Sequence, residues 1–503
     1  MNITMLLDMA ADGFGDRVVV GGQDLGLTPA RLQHLSYAGA EMIRKSGADA
    51  LVYLAVNGPA FPVAMFAAAR AGVPLVPVNY RLGREQLDAL LSNHPRALGI
   101  AGAEQAQALH RAGLTVLSPD EWLGTLAASV DGGTDAAAVE DGDSDAPAVI
   151  IYTSGTTSAP KGVLLRHENL SSYVLGSVEF AAAGADEAAL VSVPPYHIAA
   201  VANVITNLYA GRRTVVLEQF TPEQWLDTAR REGITNALVV PTMLARVVES
   251  DADKAMPSLR GLAYGGGPMP ARVIERALQI WPDVGFVNAY GLTETSSTIA
   301  VLGPDDHRAA LDSDDESVRA RLGSVGQVVP GIDLEIRDAD DRVLESGVTG
   351  RICVRGEQVS AEYAGIGRMV DERGFFDTRD QGFLDDEGFL FVGGRVDDTI
   401  IRGAENIAPA EIEDVILRHP AVLDVAVVGM PDPDWGQRIE AAAVLRPGSA
   451  LTPDELRDFI RAALRSSKTP ERIVYWDELP RNETGKLVRR HVVDRLTKQA
   501  SGV

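Results

Sequence analysis

The 503-residue chain is short of several things, and each shortage narrows what it can be. It has one cysteine, Cys353, so no internal disulfide can form and a thiolate zinc site is disfavoured. It has six lysines among its 46 basic residues: Lys45, Lys161, Lys254, Lys468, Lys486 and Lys498. A lysine inside a functional loop is therefore not the product of a general excess. Positive charge as a whole is outweighed, with a formal net charge of -24. That balance argues against sequence-independent nucleic-acid binding and against an anionic membrane surface. No apolar run reaches the roughly 18–20 residues of a membrane span. The opening MNITMLLDMAADGFGDR lacks the basic start and long apolar centre of a signal peptide. Together these absences predict a cytoplasmic protein with no nucleic-acid partner and no integral membrane segment.

What is present is globular composition: 46% hydrophobic and 23% charged residues. The length predicts two or more domains. Up to about residue 267 the chain alternates strand-like runs (ALVYLAV 50–56, VPLVPVN 73–79, ALGIAG 97–102, APAVIIY 146–152) with helix-like ones (FPVAMFAAARAG 61–72, REQLDALLSN 84–93). Such alternation predicts an α/β fold of layered subdomains with largely parallel sheets. The acidic, turn-rich stretch 132–147 reads as a surface connection. From Gly331 short alternating strands replace it (IDLEIRD, GRICVRG, FLFVGGR), predicting a small β-rich, barrel-like subdomain over 331–394. After Arg395 the texture becomes α+β, with a helix at 410–420, strands at 422–430 and 440–447, and a capped helix at 452–467. The predicted division is a large N-terminal domain, 1–394, and a small mobile C-terminal domain, 395–503.

The stretch YTSGTTSAPKG, 152–162, has little to bury and much to donate. Thr153, Ser154, Thr156, Thr157 and Ser158 carry hydroxyls, Lys161 carries an ammonium, and Gly155 lets the backbone approach closely. That inventory suits a polyphosphate. It is not a Walker loop, since G-x-x-x-x-G-K-[ST] does not fit. An ordinary polar turn is the bland alternative, but a strand leads directly into the loop. Four further stretches carry chemistry. NAYGLTETSS (288–297) places Tyr290, Thr293 and Glu294 on a turn, and a carboxylate beside a phosphate loop suits Mg²⁺. TRDQGFLDDEGFLFVGGRVDD (378–398) carries Asp380 and Arg395, and an acidic residue accepting from ribose is a recurrent nucleotide device. LAYGGGPMP (262–270) is a triple-glycine strand end, and PRNETGK (480–486) is a polar turn ending at Lys486. Taken singly, a solvated glutamate, acidic turns, a tight bend and a tail lysine remain open readings.

In chain order and spacing, YTSGTTSAPKG, then LAYGGGPMP, NAYGLTETSS, the stretch with Asp380 and Arg395, GAENIAPAEIE (403–413) and PRNETGK, the stretches resemble the acyl-adenylate-forming superfamily over about residues 50–490. That superfamily includes acyl-CoA synthetases, peptide-synthetase adenylation domains and luciferases. The resemblance implies ATP, Mg²⁺ and coenzyme A as cofactors, a small carboxylic acid as substrate, and a homodimer. It implies that residues 153–161 hold the β- and γ-phosphates and that Glu294 binds Mg²⁺, with Thr293 near the α-phosphate. Gly265, Gly266 and Gly267 would flank the adenine and the acyl pocket, with Tyr290 stacked near the adenine. Asp380 would accept from the ribose with Arg395 close by, and Asp397 would be the hinge. Lys486 would reach the acyl carboxylate and the α-phosphate. His197 would border the acyl pocket and gate the thiol tunnel, along which Gly403 would lie.

The chain departs from the common pattern at Ser158-Ala159 in the loop, at Arg379 where a glycine is usual, at Ala404 in the tunnel segment, at Ala408 where an aromatic residue is frequent, and before Lys468, where SSKTP lacks the usual tyrosine. Arg379 reads as solvated, with contact to an ATP phosphate as the alternative; Ala404 bears on the thiol step. The implied activity is an ATP-dependent acyl-CoA synthetase acting through an acyl-AMP. An acyl-AMP ligase loading a carrier protein, or a catalytically silent nucleotide-binding member, are the alternatives. The pocket stretch 194–207 has no acidic partner for an amino acid's ammonium, which disfavours a peptide-synthetase domain. His197, Ile198, Ala199, Ala200, Val201, Met243, Tyr264 and Met269 are the expected pocket walls, and their apolar character predicts a fatty, alicyclic or aromatic acid. Arg246 reads as a helix-surface residue rather than a pocket cation.

Overall fold

A computed structural model describes residues 1–23, 26–133, 143–153, 161–402, 405–464, 466–482 and 485–501. Two sheets form the body of the protein. In the first, the strands Leu51–Leu54, Leu75–Pro77, Leu98–Ala101 and Thr115–Leu117 run parallel, and Pro147–Thr153 joins them in the same direction. Each of the first three is followed by a helix, which is the connection parallel pairing requires. The first three of these strands are buried throughout because helices cover both faces. The helix Ala60–Ala71 shows the same logic, with ten of its residues small or apolar and buried around its whole circumference.

The second sheet is built likewise. Ala188–Val191, Arg213–Val216, Asn236–Val239, Gly261–Gly265 and Gly285–Leu292 are parallel, and Ser297–Leu302 and Gln327–Val328 close one edge antiparallel. Its core includes the fully buried Trp225, Tyr264 and Phe286. The β-rich segment that follows is a four-stranded antiparallel sheet of Asp333–Arg337, Gly350–Arg355, Phe376–Leu384 and Leu390–Arg395. One part of that segment departs from the expected division. Glu362–Tyr363 pairs antiparallel with the strand Lys161–Arg166 and so extends the first sheet instead. The pairing has a local cause: Arg166 forms a two-bond ion pair with Glu362, at 2.8 and 2.9 Å.

Beyond Arg395 a 3₁₀ turn, Val396–Asp398, leads to the C-terminal region. There Val422–Asp432, Gly436–Leu445 and Arg472–Tyr475 form a three-stranded sheet. The helices Pro409–Leu417 and Pro453–Ala463 pack their apolar faces on one side and Arg489–Ser501 on the other. Thr452 and Glu455 form a full capping box at the second of these helices, as TPDE at its start requires. The C-terminal region touches the body at defined points. Arg272 Nη2 donates to the Leu423 carbonyl at 2.8 Å, and Arg446 lies 3.5 Å from Glu249. Gly485 sits so close to Thr242 that a Cβ there would fall 2.2 Å from the threonine Oγ1. Among the described residues no helix is long and apolar enough to cross a membrane.

Candidate active site

The site lies where the two large sheets, the antiparallel sheet and the C-terminal region meet. Thr153 and Lys161 face each other across a hairpin, as the last and first residues of two paired strands. Ser154, Gly155, Thr156 and Thr157 lie outside the described residues, as do Gly403 and Ala404. The lysine is nonetheless placed: its Nζ stands 5.7 Å from the centre of the Tyr363 ring.

Tyr363 was not legible in the sequence as a site residue. Its hydroxyl donates to Glu294 Oε1 at 2.8 Å. Burial, and then the neighbouring Glu294 carboxylate, push this phenol far above the usual range, so it stays a donor. The Glu294 backbone is held as well: its carbonyl accepts from the Ala361 N–H at 3.0 Å. The turn after it is tight, with Ser296 at φ 54° and Ser297 at φ 107°. Its tightness follows from Gly291, where a Cβ would lie 1.7 Å from the Ser297 carbonyl oxygen. Glu294 is half-buried at this turn, beside Thr293. Among the described residues no group of three or more His, Cys, Asp or Glu side chains could hold a metal. A single carboxylate with one oxygen already engaged suits Mg²⁺, which keeps several waters and takes its remaining ligands from phosphate oxygens.

The second carboxylate is organised differently. Asp380 and Arg395 are cross-strand partners, and Arg395 Nη1 lies 3.2 Å from Asp380 Oδ1. Tyr290 donates its hydroxyl to Asp380 Oδ2 at 2.7 Å. The backbone N–H of Asp380 donates to Thr378 Oγ1 at 3.1 Å. Burial raises the Asp380 pKa; Arg395, the Tyr290 hydroxyl and the positive charge of Lys486 all pull it back down. This last influence brings Lys486 to the site electrostatically, across 106 positions of sequence.

The lysine owes its position to its turn. Lys486 N–H donates to Asn482 Oδ1, and Asn482 N–H to the Lys486 carbonyl, both at 2.8 Å. Arg481 grips Asp424 with Nη2 at 2.7 and 2.8 Å and donates to the Gly485 carbonyl at 2.6 Å. The asparagine in PRNETGK signals such a turn; the arginine carries no signal until Asp424 is known to be its partner.

The three glycines have separate reasons. A Cβ at Gly265 would lie 2.3 Å from the Ala289 carbonyl oxygen, and Gly266 has φ 82°. Gly267 has open space around it, and neither packing nor backbone conformation demands it. His197 starts the helix Ile198–Ala210, with its ring centre 4.6 Å from that of Tyr196. Its Nε2 is buried with no hydrogen-bond partner among the described residues, and burial depresses its pKa to about 4, so the ring is neutral. Ile198 and Ala199 are half-buried beside it, whereas Ala200 and Val201 are fully buried in the core. One expected pocket wall is corrected. The Tyr264 ring is fully buried in the second sheet's core and its hydroxyl bonds His307 at 2.8 Å, so it faces away from the site. Alternation along the strand Gly261–Gly265 turns this side chain to the helix-covered face. Arg246 is exposed, 5.3 Å from the Phe220 ring, as a surface residue should be.

The AMP-binding enzyme family matches residues 7–364, and its C-terminal domain family matches residues 411–486. A fatty acid–[acyl-carrier-protein] ligase of Streptomyces coeruleorubidus is 31% identical, over 93% of this chain and 92% of its own. A feruloyl-CoA synthase of an Amycolatopsis species is 31% identical, over 93% and 94%. The structure of o-succinylbenzoate coenzyme A synthetase from Bacillus subtilis with ATP and magnesium superposes with a TM-score of 0.81 at 28% identity, covering 96% of this chain and 98% of that one. The chain belongs to the AMP-binding enzyme family of the acyl-adenylate-forming superfamily, as an AMP-forming acid–thiol ligase.

Proposed function

We propose that the protein activates an apolar carboxylic acid, fatty, alicyclic or aromatic, as its acyl-AMP and then transfers the acyl group to coenzyme A. The observation that carries this reading is the buried Asp380–Tyr290–Arg395 cluster of the body, whose carboxylate also feels the positive charge of Lys486 from the C-terminal region. An acid carboxylate and a triphosphate are both anions, so their approach needs positive charge fixed in place before the reaction.

In this reading Asp380 accepts from the ribose hydroxyls, with Tyr290 and Arg395 holding its carboxylate. Glu294 holds Mg²⁺, which neutralises phosphate charge and orients the leaving group. Thr153, Lys161 and the hydroxyl loop hold the β- and γ-phosphates, and Thr293 lies near the α-phosphate. Gly266 and Gly267 leave room for the adenine, beside Gly265 and Tyr290. Lys486 binds the acid carboxylate and an α-phosphate oxygen together. A carboxylate oxygen forms the bond to the α-phosphorus, and the bond to the β-phosphate oxygen breaks, releasing pyrophosphate. The thiol sulfur then attacks the acyl carbon and AMP leaves. The second step needs Lys486 out of the way, so the units 1–394 and 395–503 rotate about Asp397 and bring the segment containing Gly403 to the site.

Neutral His197, with Ile198 and Ala199, supports an apolar acid. The relatives named for fatty and feruloyl substrates support the fatty and aromatic parts of that range. A carrier protein as acceptor is the second reading, favoured by Ala404 in the tunnel segment and by the carrier-protein ligase among the relatives. Pyrophosphate release from ATP and Mg²⁺ over a panel of carboxylic acids, with and without coenzyme A, tests both. Acyl-CoA formation with one acid class supports the first reading. Acyl-AMP accumulation without thioester supports the second. No release with any acid would leave a silent nucleotide-binding protein. Light scattering checks the homodimer the resemblance implies.

A further inference from the structure

Arg379 has left-handed backbone, φ 64°, in the middle of the strand Phe376–Leu384. A bulky side chain adopts that conformation only when its surroundings enforce it. They do so here. Arg351 pairs with Gln381 and Cys353 with Asp377, so the three residues 378–380 oppose Ile352 alone. The bulge is pinned at each step: Thr378 Oγ1 donates to the Ile352 carbonyl at 2.8 Å, and Arg379 N–H donates to Asp377 Oδ1 at 2.8 Å. Asp377 is itself fixed by Arg351, also at 2.8 Å.

Such a bulge re-aims side chains. It turns Asp380 inward onto Tyr290 and Arg395 and leaves Arg379 exposed. Among the described residues nothing forms a hydrogen bond or ion pair with the Arg379 guanidinium. Its charge is nevertheless felt at the Tyr363 phenol, the group that holds Glu294, where Arg379 and Arg395 both work against the effect of burial. Lys161 lies against the ring of the same tyrosine. Arg395 is balanced by Asp380, which leaves Lys161 and Arg379 as two cations acting on one tyrosine–glutamate pair with a single negative charge.

We infer that Arg379 is a further binding residue for the polyphosphate of ATP, contacting the β,γ-portion that leaves as pyrophosphate. This rests on the function proposed above and adds to it a residue for which glycine would be the unstrained choice. A guanidinium can bind two phosphate oxygens at once, which the flexible lysine of the loop cannot. Retaining strain for a solvated side chain would have no such return.

The test compares two nucleotides that differ only in the part Arg379 is inferred to touch. Calorimetric binding of ATP and of AMP, each with Mg²⁺, is measured on the full chain for wild type, Arg379→Gly and Arg379→Lys. Arg379→Gly is expected to weaken ATP at least about tenfold and to leave AMP within about twofold. Its melting temperature should not fall, because glycine accepts the left-handed backbone. Arg379→Lys keeps charge and strain and should restore part of the ATP affinity. Unchanged ATP affinity in Arg379→Gly would overturn the inference, and so would equal weakening of ATP and AMP, which would mean that the bulge merely aims Asp380. The proposed function fails separately: a wild type that prefers ATP but releases no pyrophosphate with any acid loses that function and keeps this binding residue.

Discussion

Asp380 and Glu294 are both carboxylates held by a tyrosine hydroxyl, and they sit in opposite electrostatic situations. Asp380 is buried, both its oxygens are engaged, and its cross-strand arginine is built into the same sheet. Glu294 is half-buried, and among the described residues only its Oε1 is engaged. The first is a finished acceptor that needs only neutral hydroxyls from its ligand. The second is an incomplete arrangement that cations and phosphate oxygens can complete. On the function proposed above, the difference teaches where ligand identity would be read: by Asp380 on the part that ATP and AMP share, by Glu294 on the part that only ATP has.

The largest effect is expected from Lys486, whose charge reaches the Asp380 side while its turn belongs to the C-terminal region. Lys486→Ala should cut adenylation by at least about 100-fold and leave thioester formation from supplied acyl-AMP largely intact. Pre-steady-state assay of each half separately checks this; equal loss in both would remove the role assigned to the lysine. Next, the two carboxylates should separate by nucleotide. Asp380→Asn is expected to weaken ATP and AMP alike, by roughly 10–100-fold, because Arg395 and Tyr290 lose their anion. Glu294→Gln should spare AMP while lowering turnover with ATP and raising the Mg²⁺ concentration needed for half-maximal rate. Matching losses of AMP affinity in the two variants would break the comparison. Asp397→Pro removes backbone freedom at the turn Val396–Asp398 and should damage one half-reaction by about tenfold or more while sparing the other. Unchanged rates in both halves would dispose of the hinge.

The smallest effect concerns pH. Burial holds His167 and His197 at about 4 in the folded protein, below the ordinary 6.5. Below pH 6.5 the unfolded chain takes up protons that these rings refuse, so their contribution to stability is present above 6.5 and is lost as pH falls towards 4. His197→Phe should remove its share of that loss, narrowing the fall in melting temperature between pH 7 and pH 5 by about 2–4 °C. Nuclear magnetic resonance of the wild type should show no titration of His197 above pH 5.

Much of the element order could be read from the sequence because buried parallel strands are short apolar runs, and ALVYLAV or APAVIIY can hardly be anything else. Local geometry was legible where backbone chemistry forces a residue type, as at Gly266 and in the turn before Lys486. What could not be read are partnerships across long separations. Tyr363 meets Glu294 from 69 positions away, and Arg481 meets Asp424 from 57. Tyr264 misled for a related reason: a strand next to a glycine cluster has two faces, and only the position of His307 decides which one the ring takes. Arg379 stood out as a departure, but its left-handed backbone needed the bulge opposite Ile352 to be seen.

The contact between Gly485 and Thr242 works as a gauge of closure. The contact as it stands leaves no room for a carbon beyond Cα at position 485, since a methyl group there would overlap the threonine side chain. On the function proposed above, a clearance smaller than one methyl group would then separate activating an acid from passing it on, and glycine at 485, whose φ is 76°, keeps that clearance beside Lys486.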